Sequence, residues 1–520
     1  MHLRLRLDGL NPRRWHVRLA ERIAALPGMS VEIDRRPGQG ALPDNAGLLF
    51  RLEAMLNRRP LDGSWSTVEP GALAAFPPPS TKKPDLVIDL CGDAEPDANQ
   101  RIWHLAFDGH SGEAALLGAL LAGRAPVGTL SEGGCIIATG RFGTEAGGVL
   151  LTAFEDGLAR TTTLILSALS GPASKMSPFN SGEPRSHRNE TEHVDGAAPR
   201  GLGAAALGKR ASRMLAWSIV RRLYHLCYRA PHWRVGWRAL GGGPDLVDLR
   251  AHPEGGWRDL PDDGHRFYAD PFPIDRGGRT VLFVEDYPHA TGKAIISAVA
   301  FGRDGPRGQP VPVLEEAYHL SYPFVFERDG ALWMVPESCA NGTIDLYRST
   351  AFPGGWVKEA TLVSGITASD TTLVEHGGRW WMFATVRDAP TLVGAEWGLG
   401  SFSDALHLWS APDFQGPWTP HPANPVLIDI ASARPAGRIV SRDGALIRPV
   451  QDCRGGYGEA LALARIDRLD MGGYSQTVET ILRAGPAWKG RRLHTLNRSA
   501  DFEFIDGSAR APRFRRAPVG

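Results

Sequence analysis

The sequence predicts a multidomain protein, with an N-terminal α/β Rossmann-like domain followed by a C-terminal all-β five-bladed propeller. Strand and helix patterns alternate over the first 170 residues, and a repeated β-hairpin pattern begins after residue 265. A length of 520 residues suits two or three domains of ~100–200 residues each. The predicted divisions are an α/β domain, a flexible linker, a basic amphipathic helix and the propeller, at 1–170, 171–208, 209–230 and 231–515.

Alternation in the first part of the chain predicts its α/β class. Strand patterns occur at 4–8, 30–34, 85–90 and 101–107, with helical patterns up to about residue 26, at 47–59 and after residue 111. The apolar run at 85–90 is typical of a strand buried on both faces. Such alternation predicts a mostly parallel sheet with helices on its faces.

The middle of the chain changes composition twice. Residues 171–208 are rich in Ser, Pro, Gly, Asn and Glu, which predicts a flexible linker. From Arg200 to Pro244 there are nine Lys or Arg and no Asp or Glu. An apolar stripe at helical spacing runs through this segment, formed by Leu215, Ile219, Val220, Leu223, Leu226 and Cys227. Either the helix packs on a domain as a connector, or residues 209–229 contact an anionic membrane surface peripherally.

An internal repeat predicts the propeller. The segments 269–286, 322–338, 370–386 and 437–452 align without gaps. Each contains an alternating strand, a Gly-containing turn and a second alternating strand, which is the pattern of a β-hairpin. Further β-patterns after each hairpin complete four-stranded blades, and residues 495–507 are predicted to help close the ring as part of a fifth blade.

Polar residues recur at two positions of the repeat. The start of the first strand carries Asp270, Tyr322, Asp370 and, in the fourth repeat, a small residue near Ala436. The end of the second strand carries Glu285, Glu337, Thr385 and Gln451. A purely structural propeller needs no carboxylate there, because a buried unpaired carboxylate is costly. The alternative for the aspartates is a hydrogen bond at a turn or strand end.

Several short motifs resemble a known family. They are Tyr-Ala-Asp-Pro-Phe (268–272), Ser-Tyr-Pro-Phe-Val-Phe (321–326), Met-Val-Pro-Glu-Ser (334–338), Ala-Ser-Asp-Thr-Thr-Leu (368–373), Arg-Pro-Ala-Gly-Arg (434–438), Arg-Pro-Val-Gln-Asp-Cys (448–453) and Tyr-Gly-Glu (457–459). Together they resemble the N-terminal domain of plant glucosamine inositolphosphorylceramide transferases, which is related to five-bladed glycoside-hydrolase propellers. The resemblance covers about residues 230–510. The plant enzymes carry a separate glycosyltransferase domain, which nothing here resembles.

The resemblance implies site roles. Asp270 matches the general base of the hydrolase propellers, and Asp370 matches the aspartate that tunes the acid. Those enzymes place the acid glutamate where this chain has 436–438, so Glu337 is the substitute candidate, with Glu459 and Glu285 behind it. Glycoside cleavage needs one protonated and one ionised carboxyl group.

Further side chains are predicted to bind the substrate, namely Tyr322, Glu285, Arg438, Arg448, Gln451 and Trp381. Arg438 and Arg448 would hold a substrate carboxylate or phosphate with paired hydrogen bonds. Trp381 offers a face on which a sugar stacks, and its alternative role is blade core.

The N-terminal domain resembles formyltransferases more weakly, through the strand at 85–90 and the stretch 101–110. The Asn of that family's Asn-x-His pair is missing here, and His104, Asp108 and His110 remain. The implied activity is N-formyl transfer to an amino sugar, and a degenerate ligand-binding or scaffolding domain is the alternative. No GxGxxG or Walker sequence is present, and the five cysteines are scattered, so we expect no cofactor and no metal.

Charge and termini bound the partners. The net charge of +1 gives no global attraction to nucleic acid. The N-terminus has no apolar signal region, so we expect a cytoplasmic protein, with a membrane-peripheral position as the alternative. The leading hypothesis is a carbohydrate-active protein that binds a glycan or glycolipid head group in the channel and hydrolyses it with paired carboxylates. Two alternatives are a non-catalytic glycan-recognition module in envelope-glycan synthesis and N-formyl transfer.

Overall fold

The computed structural model describes residues 1–9, 12–36, 42–60, 62–95, 97, 99–144, 147–171, 203–388 and 399–513. Most of the predicted linker, residues 172–202, lies outside the described residues. Among the described helices, none combines the length and apolar character needed to cross a membrane.

The N-terminal part is a mixed sheet with helices. Its strands are β1 (His2–Asp8), β2 (Ser30–Arg36), β3 (Leu86–Asp89), β4 (Ile102–Phe107), β5 (His110–Ser111), β6 (Val127–Glu132) and β7 (Cys135–Arg141). Its helices are α1 (Arg14–Ala24), α2 (Ala46–Leu56), α3 (Glu113–Leu121) and α4 (Leu150–Ser170), with a 3-10 turn at Pro70–Leu73. The strand order is β2-β1-β3-β4-β6-β7, and β5 pairs with β4. The first four strands of this order are parallel, whereas β6 and β7 are antiparallel.

Local sequence explains these elements. Alternate leucines of β1 are buried, as expected for a strand with one face on the core. The buried residues of α1 follow helical spacing, from Trp15 through Leu19 to Ile23. Helix α4 is buried on nearly every side and includes the buried polar residues Glu155 and Arg160. The α/β class is therefore confirmed, whereas the Rossmann-like identity of this part stays a prediction.

The chain enters the propeller through a long helix and the first outer strands. These elements are α5 (Ala204–Cys227), β8 (Tyr228–Arg229), β9 (Trp233–Ala239), α6 (Leu246–Leu249) and β10 (Arg258–Asp259). Helix α5 corresponds to the predicted basic helix, and no residue of it is buried.

Four sheets follow in chain order, one for each aligned repeat. Blade 1 contains β11 (Arg266–Arg276), β12 (Arg279–Pro288), β13 (Ile295–Gly302), β14 (Gly305–Pro306) and β15 (Val311–Leu314). Blade 2 contains β16 (Ser321–Arg328), β17 (Ala331–Glu337), β18 (Thr343–Ala351) and β19 (Gly354–Ser364), with a 3-10 turn at Cys339–Asn341. Blade 3 contains β20 (Thr367–His376), β21 (Arg379–Arg387), β22 (Ala405–Ala411), β23 (Thr419–Pro420) and β24 (Leu427–Ile428). Blade 4 contains β25 (Val440–Arg442), β26 (Ala445–Asp452), β27 (Ala460–Asp470) and β28 (Gly473–Arg483).

The fifth blade closes the ring with strands from both ends of the domain. Strands β29 (Thr495–Arg498) and β30 (Phe502–Ser508) join β9 and β10 in the order β10-β9-β30-β29. A short pair outside the blades joins β31 (Ala511–Pro512) to β8. The predicted five-bladed propeller is confirmed, including the closing role of residues 495–507.

The two folded parts share a buried contact. Arg160 of α4 donates from Nε to Oδ1 of Asp404 at 2.6 Å, and the Gly143 N–H donates to the other carboxylate oxygen at 2.8 Å. Ile428 of β24 belongs to the apolar core of the N-terminal part. The propeller therefore does not stand apart from the α/β part, because blade 3 completes its core.

Candidate functional site

The innermost strands of blades 1 to 3 share one irregularity. In β11, β16 and β20 the pairing register shifts just after Ala269, Ser321 and Ser369. The residues that follow, Asp270, Tyr322 and Asp370, have φ values of 49°, 42° and 55°. Side-chain-bearing residues adopt this left-handed region uncommonly. In blades 1 to 3, the first polar position of the sequence repeat is therefore occupied by a β-bulge residue.

The residues at the second polar position of the repeat lie beside these bulges. Glu285, Glu337 and Thr385 pair with the residues directly before the three bulges. In blade 4 the Gln451 N–H donates to the Arg434 carbonyl. The residues at both polar positions of the repeat therefore lie at the same end of the propeller channel.

Carboxylates link neighbouring blades around this end. The Asp270 N–H donates to Asp506 at 2.8 Å, the Tyr322 N–H to Asp270 at 3.0 Å, and the Asp370 N–H to Glu337 at 3.1 Å. In each case the donor is the bulged residue, and the acceptor belongs to the preceding blade. Each carboxylate satisfies a buried N–H group that the bulge removes from the strand ladder.

Arg434 holds the centre of the cluster. Its Nε and Nη2 donate to Asp370 Oδ2 and Oδ1 at 2.6 and 3.3 Å, and Nη2 lies 3.8 Å from Glu337 Oε2. Gln451 also donates to Asp370 Oδ2, at 2.8 Å. The guanidinium lies 4.7 Å from the ring centroid of Tyr457.

Glu337 is a carboxyl group of this cluster with a raised pKa. Burial raises its pKa well above the ordinary glutamate value, and the charges of Asp370 and Asp270 raise it further, whereas Arg434 lowers it. Its side chain keeps 11% exposure, compared with 4% for Asp370. The protonated form of Glu337 is therefore favoured, and its side chain still reaches solvent.

Asp270 ends a buried chain of ionisable groups. His494 lies between two carboxylates, with Nδ1 2.6 Å from Asp506 Oδ1 and Nε2 3.3 Å from Asp270 Oδ1. Thr495 donates its hydroxyl to Asp270 at 3.0 Å. Burial raises the pKa of Asp270 to about 7, against the opposing effect of His494. Burial alone lowers the pKa of His494, but Asp506 and Asp270 outweigh it and raise the pKa to about 9.

The raised pKa of His494 makes stability depend on pH. Its folded pKa of about 9 exceeds the unfolded value of 6.5, so its contribution is complete below pH 6.5 and is lost as pH rises through 9. Linkage gives about 3 kcal/mol for such a shift. Asp270, raised to about 7, changes stability in the same direction between its unfolded and folded pKa. We predict a falling free energy of unfolding between pH 6.5 and 9, measurable by chemical denaturation.

Asp506→Asn provides the test variant, because it removes the carboxylate next to Nδ1 of His494. Its pH profile should be flatter than that of the wild type over this interval. His376 is exposed, so His376→Gln should leave the wild-type profile unchanged. Identical profiles for Asp506→Asn and the wild type would contradict the role assigned to His494.

Other polar side chains lie near these carboxyl groups. Glu285 Oε1 lies 3.4 Å from His319 Nε2. The buried hydroxyl of Thr385 has no hydrogen-bond partner among the described residues. Burial raises the pKa of Tyr457 above its usual range, as do the charges of Asp370, Asp270 and Glu337. Tyr457 is partly exposed, and its ring packs against the Arg434 guanidinium and the His494 ring.

Four predicted binding residues lie in the propeller wall. The Tyr322 hydroxyl accepts from the Gly437 N–H at 2.7 Å and contacts Thr372, so this buried side chain links blade 2 to blade 3 and to the segment before blade 4. Arg438 donates to the carbonyls of Pro273 and Val325. Their positions match packing and hydrogen bonding inside the fold.

The remaining two are buried in the same way. Arg448 is fully buried and donates to the carbonyls of Ser432 and Ala433 and to the Gln476 side chain. Trp381 is 2% exposed within a core cluster. In these positions neither side chain presents a free face to a ligand.

Sequence reasoning did not select Arg434, Tyr457, His494 or Asp506. Arg434 and Tyr457 belong to motifs of the family resemblance, but the predicted ligand-binding arginines are Arg438 and Arg448. His494 and Asp506 lie in or next to the closing blade, outside the four aligned hairpins. The only sequence signal for them was the predicted closing segment 495–507, which contains Asp506.

Two groups among the described residues have the side chains of a metal site. They are Asp270, His494 and Asp506, and Asp89, Cys91 and Asp93. In the first group both imidazole nitrogens already face carboxylates, and in the second Asp89 accepts three backbone N–H groups of its own loop. Hydrogen bonding accounts for both arrangements.

The formyltransferase-like residues form separate contacts. His104 lies 3.3 Å from Asp89, and Asp108 pairs with Arg124 at 3.2 Å. His110 is exposed on β5. The described hydrogen bonds and ion pairs join none of His104, Asp108 and His110 to another, so formyl transfer gains no support from the fold.

Comparison with known proteins identifies the propeller. Residues 261–504 match the family model described as glucosamine inositolphosphorylceramide transferase 1, N-terminal. The propeller matches this N-terminal domain family. The resemblance inferred from the motifs is thus confirmed for the propeller, whereas the formyltransferase-like resemblance is not.

Curated relatives agree with the family match. Glucosamine inositolphosphorylceramide transferase 1 of Oryza sativa subsp. japonica is 33% identical over 239 residues, which are 44% of this chain and 31% of the rice protein. The Arabidopsis thaliana protein of the same name is 32% identical over 238 residues, 44% of this chain and 30% of that protein. The matched region is thus less than a third of the length of these relatives.

Solved structures show more distant similarity. Zg3597, a family 117 glycoside hydrolase of Zobellia galactanivorans, is 12% identical, covers 52% of this chain and 90% of its own, and has a TM-score of 0.34. CoXyl43, a β-xylosidase/α-arabinofuranosidase from a compost metagenome, is 12% identical, covers 45% and 83%, and has a TM-score of 0.34. Similarity of this degree does not assign an activity.

Proposed function

We propose that the propeller binds a glycan or glycolipid head group at the channel end formed by Asp270, Glu337 and Asp370 and cleaves a glycosidic bond there. The observation that carries the proposal is the gathering of three carboxyl groups from different blades at one partly open end of the channel. The family match places the domain among carbohydrate-related proteins.

The proposed chemistry divides two roles between Glu337 and Asp270. Glu337 is held protonated and gives its proton to the leaving glycosidic oxygen as the bond to the anomeric carbon breaks. Asp270, with a pKa of about 7, takes a proton from the attacking water. A base with such a pKa suits catalysis near neutral pH, because proton affinity and ionised fraction are both adequate.

Other groups would position the sugar. A hydrogen bond to Asp370 fixes the Arg434 guanidinium, which therefore presents a positive charge beside Glu337. Tyr457 offers a partly exposed aromatic side chain beside Arg434. The unpartnered Thr385 hydroxyl is a buried group that a bound ligand or water would satisfy.

One observation favours the second candidate function, glycan recognition without turnover. Asp270, Glu337 and Asp506 each accept the N–H of a bulged residue in the next blade. The same carboxyl groups therefore hold the ring together whether or not catalysis occurs. A recognition module would keep the cluster for structure and for ligand hydrogen bonds.

The test compares Glu337→Gln and Asp270→Asn with the wild type on a glycan array and in a hydrolysis screen. Because the relatives are named for glucosamine and inositolphosphorylceramide, the probes should include glucosamine glycosides and inositol phosphate glycans. Both substitutions keep an oxygen that accepts the neighbouring N–H. We expect each to lower turnover about 10²–10⁴-fold while binding persists.

Glu327→Gln is the matched control, because Glu327 is an exposed glutamate near the opposite end of β16. It should retain wild-type binding and turnover. Binding by the wild type without product would support the recognition module instead. No binding to any probe and no turnover would reject both candidate functions.

A further inference from the structure

Helix α5 exposes an unusual amount of apolar surface. Its large apolar side chains are 50–67% exposed, namely Leu215, Trp217, Ile219, Val220, Leu223 and Leu226. Scattered single apolar residues are common on protein surfaces, but a contiguous patch marks a surface that contacts something else. The connector-helix interpretation would require this stripe to be covered, and the residues that the structure describes leave it exposed.

The helix is fixed at both ends, so its middle is presented outward. Near its start Leu207 and Met214 pack against the N-terminal core, and Arg210 pairs with Glu53 at 3.4 Å. At its end the Arg513 N–H donates to the Cys227 carbonyl. The body of the protein therefore contacts one side of the helix.

The exposed stripe lies away from that contact. Leu215, Ile219, Leu223 and Leu226 follow at spacings of four, four and three residues, which aligns them on one helix face. At 100° per residue the centre of this face lies about a third of a turn from the side that carries Leu207 and Met214.

Charge selects the partner. Helix α5 contains Lys209, Arg210, Arg213, Arg221 and Arg222 and no acidic residue. In the described part of the chain, Arg210 is the one member of this set with a carboxylate within ion-pair distance.

We propose that α5 docks along an anionic lipid membrane surface, with Leu215, Ile219, Leu223 and Leu226 inserted at the headgroup boundary. Lys209 and Arg222, which flank this face, contact the lipid phosphates. A basic helix with an apolar face has this mode of binding. A second copy of the chain would bring like charges together, and nucleic acid would leave the apolar stripe in water. The inference is independent of the proposed sugar chemistry.

The test is co-sedimentation of the full chain with phosphatidylcholine vesicles and with phosphatidylcholine–phosphatidylglycerol vesicles. We expect clear binding to the second kind only, which weakens as salt is added. Ile219→Glu with Leu223→Glu should lower partitioning at least about tenfold. Lys209→Gln and Arg222→Gln should each lower it about fivefold, since one basic residue contributes about a factor of five at such a surface.

Val311→Glu with Val357→Glu is the matched control, because these valines are 63% and 51% exposed on strands of the propeller. This variant should bind vesicles like the wild type. The proposal is overturned if the wild type ignores anionic vesicles, or if the control loses binding as fully as Ile219→Glu with Leu223→Glu. It is also overturned if size-exclusion chromatography shows a dimer that the α5 variant abolishes while vesicle binding is absent.

Discussion

Replacing Arg434 with leucine is expected to lower the free energy of unfolding by about 3–5 kcal/mol, the loss typical of a buried charge deprived of its partner. Asp370 is 3% exposed and receives two hydrogen bonds from Arg434. Without the guanidinium, Gln451 is a remaining donor to that carboxylate. Equilibrium unfolding in urea measures the loss, and ligand binding at the cluster should fall with it.

Two further variants separate the charge effect from lost packing. Asp370→Asn added to Arg434→Leu should recover part of the stability, because no uncompensated charge remains. Arg448 is also buried but donates to carbonyls and to Gln476, so Asp370→Asn added to Arg448→Leu should recover no stability. Equal recovery in both double variants would refute the assignment.

The propeller could be predicted because its signals are local. Each hairpin combines period-two alternation with a Gly-containing turn, and such a hairpin can be predicted from its own sequence alone. The same alignment placed Asp270, Tyr322 and Asp370 at one repeat position, and the structure gives all three the same left-handed backbone. Residues that share this position of the sequence repeat therefore share one backbone conformation.

The partners of these residues could not be predicted in the same way. Asp506 accepts the Asp270 N–H across 236 residues of sequence, because the last blade meets the first only when the ring closes. His494 reaches Asp270 for the same reason. Contacts that depend on closure leave no periodic pattern in the sequence.

The choice among three neighbouring arginines also depended on the fold. Arg434, Arg438 and Arg448 occur in similar motifs, but only the first contacts the carboxylates. Gly437 has a φ of 140°, and a Cβ there would lie 2.0 Å from the Leu496 carbonyl oxygen. This sharp change of direction separates Arg434 from Arg438, whose guanidinium turns to the carbonyls of blades 1 and 2.

The contact between the two folded parts was not predicted at all, and it yields the other large effect. Arg160→Leu is expected to lower the free energy of unfolding by about 3–5 kcal/mol. Arg160 and Asp404 are almost fully buried, and Arg160 also donates to the Val386 and Ser401 carbonyls. A Cβ on Gly400 would lie 2.7 Å from the guanidinium carbon, so this position is packed around the arginine.

The comparison that decides this interpretation is with Arg22→Ala. Arg22 pairs with Asp388 across the same boundary at 2.8 Å, but its side chain is 33% exposed, and exposed pairs contribute about 0–1 kcal/mol. Arg160→Leu should therefore unfold earlier in urea and be cleaved faster in limited proteolysis than Arg22→Ala. Adding Asp404→Asn should restore part of the loss, because the unpaired carboxylate is its main cause. If Arg22→Ala lowers the free energy of unfolding as much as Arg160→Leu, the buried pair is not the main stabilising contact between the two folded parts.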